Sequence, residues 1–199
     1  MAISDGAQQN DEARRRVPAA ERREALIAAA VHEFAHGGLN GTPVDRVARR
    51  VGVAQPYVFS LFPTKRDLFL AAVERGFQKV ADAFDMAAED YCRGAAPREC
   101  EDVLMAMGFA YRQLLASDRD CLLLQHQAYA ACHDERVRAH VRRCFARLAE
   151  LARGLSGADD ERLDEFFRHG MALNVAAAMA VPELSVAASW VKEELSFPQ

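Results

Sequence analysis

His32, Glu33 and His36 stand in a His-Glu-x-x-His spacing. On a helix, two histidines four residues apart share a face and can hold a zinc ion, while the glutamate serves as the base of a hydrolase. Zinc needs a third protein ligand. Leu39 and Thr42 stand where the usual downstream Gly and His would be. The same segment carries Leu26, Ala30 and Phe34, an apolar stripe that belongs in a core. The expectation is therefore no metal, no cofactor and no enzyme, with His32 and His36 as solvated or interface side chains. Glu33 and His36 also match half of a di-iron carboxylate motif, but no second Glu-x-x-His occurs.

Residues 42–65 suggest a different chemistry. Thr42 is a suitable N-cap and Pro43 suits the first helical position. Val44, Val47, Ala48 and Val51 recur at helical spacing, and Gly52 supplies the left-handed residue that ends the helix. A second helix spans Gln55–Leu61, with Pro56 in its tolerant first turn, and Phe62-Pro63 closes it. Two helices joined by a short glycine turn form the unit whose second helix enters the DNA major groove. Gln55 can read an adenine edge. Tyr57 can reach a phosphate or a thymine methyl. Lys65 and Thr42, near helix starts, can bind phosphates. The candidate DNA contacts are Thr42, Gln55, Pro56, Tyr57, Phe59, Ser60 and Lys65.

A third group could line a small-molecule pocket. Met105, Phe109 and Arg112 share one helix face, and Leu122, Gln125, His126 and Tyr129 share another. Apolar walls with a few orienting polar groups are how such sites are built. A buried Gln125 or Asn174 would need a hydrogen-bond partner, which a ligand could supply. The candidate pocket is Met105, Phe109, Arg112, Gln125, Tyr129, Met171 and Asn174; the alternative is plain core packing. Cys121, Cys132 and Cys144 could sense thiol chemistry only if a thiol pKa were lowered.

These residues must be held by helices. The chain has 199 residues, 51% of them apolar, with few Gly and Pro and no long β-branched alternation. That predicts an all-α protein of about nine helices. Residues 1–18 are a polar arm, expected to be mobile; 19–66 form the DNA-binding domain and 67–199 a helical body. The first helix should run 19–36 and stop at Gly37-Gly38. Thr64 should cap a long helix reaching residue 92, the mechanical link between the domains. Further helices are expected near 98–116, 119–131, 134–154, 159–181 and 184–196. No apolar stretch is long enough to span a bilayer, no signal-peptide pattern opens the chain, and five unpaired cysteines suit the cytoplasm. Charge is divided: residues 1–66 carry 10 Lys/Arg against 7 Asp/Glu, and residues 67–199 carry 15 against 22. A basic head on an acidic body fits a protein that docks one end on DNA.

Residues 22–70 resemble the DNA-binding domain of the tetracycline-repressor (TetR) family of bacterial regulators. The matching pieces are Phe34-Ala35, Gly38, Thr42, the 44–52 helix, Val53, the aromatic at Phe59, Phe62-Pro63-Thr64-Lys65 and Leu68. Phe59 replaces the family's usual Tyr and Leu61 its frequent His. Both family residues reach phosphates, and Tyr57 is placed to supply a hydroxyl instead. The resemblance implies a ligand-responsive repressor that binds a palindromic operator as a homodimer, with an unidentified small-molecule effector. It further implies that the last two helices pair across the dimer, placing Phe167, Met171, Asn174, Ala178 and Trp190 near that interface. A zinc hydrolase and a helical adaptor without DNA binding are the alternatives.

Overall fold

The computed structural model describes residues 18–185. All regular structure among them is helical: α1 (Ala19–Gly41), α2 (Val44–Val51), α3 (Gln55–Leu61), α4 (Lys65–Cys92), α5 (Val103–Ser117), α6 (Arg119–Ala130), a 3-10 turn (Ala131–His133), α7 (Glu135–Ser156) and α8 (Asp160–Ala178). Residues 1–17 of the expected arm and residues 186–196 of the expected last helix, Trp190 included, lie outside the described residues. Residues 184 and 185 are not helical.

Local signals explain most boundaries. Gly52 is left-handed (φ 74°) and ends α2, and α3 occupies the expected residues. Thr64 and Asp67 form a reciprocal capping box at the start of α4. Asp102, Asp118, Asp134 and Asp159 each accept a backbone N–H at a helix start. Asp102 explains why α5 begins at 103 rather than 98.

Two expectations near the glycines need correction. The expected stop at Gly37-Gly38 is a break in the helical backbone at Gly38 (φ 64°, ψ 179°), but one further turn follows it to Gly41. A Cβ on Gly38 would lie 2.5 Å from Gln127 Oε1, so glycine lets α6 approach α1 closely. Thr42 is not the N-cap of α2. Pro43 takes that position without a side-chain cap, and Thr42 is fully buried.

The head core joins Leu26, Ala30 and Phe34 of α1 to Val47, Val58, Leu68 and Phe69. Phe34 and Phe69 meet edge to face at 5.0 Å. α4 then runs on into the body and packs against α5, α6 and α7, which is why it is buried on more than one face. α1 also lies against α6, so head and body share a second junction besides the continuous α4.

The helix-start aspartates carry a pH prediction. Thr64's hydroxyl holds the Asp67 carboxyl below its usual range, as the Met105 and Val137 amides do for Asp102 and Asp134. Burial pushes Asp118 up, but Lys79 and the Cys121 amide outweigh it and the net shift is downward. Folded values below the unfolded ones, about 3.9, mean that these groups contribute full stability above that pH and lose it as pH falls through the folded values. Thermal melts should therefore drop steeply below about pH 4, and Asp118→Asn should flatten that part of the profile.

Candidate nucleic-acid interface and body cavity

α3 is anchored by one buried residue, Val58, with Tyr57 and Leu61 half-buried beside it. Gln55, Pro56, Phe59 and Ser60 face outward together. Phe59 leaves 38% of its surface in water. An aromatic ring in that position offers an apolar contact for a thymine methyl or a sugar. Ser60 Oγ donates to the Tyr57 carbonyl at 2.7 Å. Tyr57 is less open than expected: the Arg22 guanidinium lies 5.7 Å from its ring centroid, while Arg23 lies 4.9 Å from that of Phe62. The start of α1 therefore brings two cations beside α3. The adjacent arginines at the start of α1 were the available signal.

α2 contributes Arg46, Arg49 and Arg50. Glu33 pairs with Arg46 (3.6 Å) and Arg50 (3.1 Å), and Asp45 with Arg49 (3.0 Å). These guanidiniums remain about half exposed or more, so their ion pairs are weak and can be traded for phosphates. Glu33 faces α2 through these pairs and is not available as the base of a hydrolase.

Two residues expected to contact phosphates have partners within the chain. The buried Thr42 hydroxyl donates to the Glu33 carbonyl at 3.1 Å and holds α1 to the α2 start. Lys65 Nζ donates to the carbonyls of Asn40 and Thr42, each at 3.1 Å. The last turn of α1 leaves carbonyls without helical partners, and the lysine satisfies them. Lys65→Met should cost about 1.5 kcal/mol, at the low end for bonds to a charged donor because water can replace it. Urea unfolding would measure this, and the salt slope of DNA binding should stay unchanged.

A cavity of about 780 Å³, open to solvent on one side, lies between α4, α5, α6, α7 and α8. All seven expected pocket residues line it: Met105, Phe109, Arg112, Gln125, Tyr129, Met171 and Asn174. Phe77, Val80 and Phe84 of α4 form another wall, so the helix leaving the head touches the cavity directly. A polar cluster lies on this apolar wall. Tyr111 Oη lies 2.6 Å from Asn174 Oδ1 and 3.0 Å from Gln125 Oε1, and Asn174 Nδ2 donates to Gln125 Oε1 at 3.5 Å. Burial pushes the Tyr111 phenol far up and that of Tyr129 up to about 12, so both stay neutral donors. Tyr111 was missed in the sequence. It sits in a buried stripe with Leu104, Met107 and Leu115, and a tyrosine among aliphatics signals a hydroxyl needing a partner.

The residues expected near a dimer interface are not equally open to solvent. Asn174 is 1% exposed and bonded to Tyr111, so it points inward. Phe167 meets Phe145 with tilted rings, centroids 5.1 Å apart, and lines the cavity. Ala178 is half-buried. The exposed apolar stripe of α8 is Met171, Val175 and Met179, spaced by four, of which only Met171 was expected. The hydrogen bond to Tyr111 decides which side of α8 faces in.

All five cysteines are free. Burial pushes the Cys121 thiol up to about 11 and, with Glu74 beside it, the Cys144 thiol up to about 12. Cys132 is also shifted upward by burial. None of these three gains the thiolate character that sensing requires. No described helix is long and apolar enough to cross a membrane.

Residues 26–72 match the family model described as bacterial regulatory proteins, tetR family. The HTH-type transcriptional activator FasR of Mycolicibacterium smegmatis is 37% identical over 60 residues, 30% of this chain; the match spans only 27% of that relative's length. A TetR-like transcriptional regulator from Rhodococcus sp. RHA1 superposes with a TM-score of 0.58 at 23% identity, covering 83% of this chain and 84% of its own. FadR from Bacillus subtilis, solved with stearoyl-CoA, gives 0.60 at 14% identity over 87% and 89%. At these identities the two structures speak for the fold.

Proposed function

We propose that this chain, a TetR-family transcriptional regulator by its amino-terminal domain and its fold, binds a palindromic operator as a homodimer and releases it when a small molecule fills the body cavity. The observation that carries the proposal is the outward face of α3, where Gln55, Pro56, Phe59 and Ser60 are open to solvent over the single anchor Val58. One such helix reads only a few base pairs. Two, held about 34–36 Å apart by a two-fold dimer, read successive major grooves. The stripe Met171, Val175 and Met179 is the surface through which the copies would pair. Repression needs nothing beyond occupancy of the operator, and it is the mode we assign.

The ligand acts through α4, which caps at Thr64 beside the DNA reader and lines the cavity with Phe77, Val80 and Phe84. A molecule wedged there favours a different separation of the two heads. It must bind that state better than the DNA-bound one; a complete swing needs about 5.5 kcal/mol of difference. The apolar wall with the Tyr111, Gln125 and Asn174 cluster suits a long apolar molecule with a hydrogen-bonding group. Because the similarly folded FadR holds stearoyl-CoA, long-chain acyl thioesters come first in the screen.

Fluorescence anisotropy with labelled fragments of the region upstream of the protein's own gene tests this directly. Saturable, salt-sensitive binding that footprints a two-fold site, and that an acyl thioester relieves, is the expected result. If affinity for every genomic fragment equals that for random DNA at low salt, the operator assignment fails.

A further inference from the structure

We infer that His32, His36 and Asp120 form a binding site for a divalent transition metal ion of the zinc class, which ties the head to the body. Two of the ligands were visible as the histidine pair of α1. The third arrives from α6, 88 residues after His32, and no linear spacing could announce it. His32 Nδ1 lies 2.7 Å from Asp120 Oδ2, and His36 Nδ1 lies 3.7 Å from Asp120 Oδ1. The imidazole centroids are 4.7 Å apart, and one ligand atom from each of the three residues falls within 4.8 Å of the others. Two imidazoles and a carboxylate are a donor set that zinc accepts, with water completing a tetrahedron.

The fold explains why the three meet. The kink at Gly38 brings α6 close to α1, and Asp120 stands in the first turn of α6, where a negative charge is favoured. His36 Nδ1 also lies 2.9 Å from the His32 carbonyl, a contact that keeping the metal on Nε2 would preserve as the outer-shell bond of that ring. All three side chains are about a third to a half exposed, so an ion can enter and a water can remain on it. A bound ion would take the place of the 2.7 Å contact between His32 Nδ1 and Asp120 Oδ2. The site is not hydrolytic, because Glu33 is held on α2 by Arg46 and Arg50. It is also independent of the cavity and of the operator, so its failure would leave the proposed function standing.

Glu74, His140 and Cys144 form a second possible group. Arg147 already bonds both Glu74 and Cys144, and the Cys144 thiol also donates to Glu74. A cation would have to displace a guanidinium there, so this group serves as the control.

The test uses the full chain without a polyhistidine tag, stripped by chelator and titrated with zinc or cobalt chloride. One equivalent per chain should bind and raise the melting temperature. Bound cobalt should show visible d–d bands without the near-ultraviolet band of a thiolate ligand. Asp120→Asn and His36→Ala, checked by circular dichroism for an intact fold, should each weaken binding by at least about tenfold. His140→Ala and Cys144→Ser should bind as the parent does. No saturable binding by the parent, affinity unchanged in both site variants, or a thiolate band lost in Cys144→Ser would each overturn the assignment. The conservative Asp120→Asn keeps the test decisive should His36→Ala unfold.

Discussion

Gln55→Glu should leave the fold at least as stable and cut operator affinity by about a hundredfold or more. Gln55 is the first residue of α3, is exposed, and follows Ala54, which offers no side-chain cap. A carboxylate there complements the helix dipole, worth about 0.3–1 kcal/mol in favour of folding. On DNA the same carboxylate meets phosphates and acceptor edges. Juxtaposed like charges cost several kcal/mol, and about 1.4 kcal/mol is one decade of affinity. Opposite signs for stability and binding separate a contact residue from a structural one. Urea unfolding and anisotropy on the same preparation measure both, and undiminished affinity would remove α3 as the reader.

Phe34→Ala should lower stability by about 3–5 kcal/mol, the range for emptying a buried aromatic site. Phe34 is fully buried and meets Phe69 edge to face, so the cavity would open where α1 rests on α4. Small domains hold only about 5–15 kcal/mol in total, so a large part of the fold's margin would go. The urea midpoint should shift strongly with the slope unchanged. Phe59→Ala is the contrast. Its ring is exposed, so it should cost about 0.5 kcal/mol or less in stability while weakening DNA binding. If the two phenylalanines behaved alike in urea, the packing of the head described above would be wrong.

The head was legible because its signals are local. Helical spacing of Val44, Val47 and Val51, the glycine at 52 and the threonine at 64 specify short-range geometry, and α3 and α4 occupy the expected spans. Outward and inward faces of α3 were harder, because Tyr57 depends on Arg22 from another helix. Thr42 and Lys65 were expected at phosphates from their places near helix starts. Thr42 instead bonds the Glu33 carbonyl within α1, and Lys65 bonds the carbonyls of Asn40 and Thr42 where the chain leaves that helix. The seven pocket residues could be grouped by helix face, yet nothing in their spacing reveals Tyr111 as their hydrogen-bonding neighbour.

By itself the chain determined that it is helical, where α3 starts and stops, and where apolar residues recur at helical spacing. Those properties depend on dihedral preference and on spacing within one or two turns. Tertiary structure alone decided that Asn174 turns inward and Val175 outward, that Lys65 serves two carbonyls, and that Asp120 meets His32, 88 residues before it. Each is settled by one polar group finding its partner on a distant helix, and the distance between helices is written in no stretch of sequence.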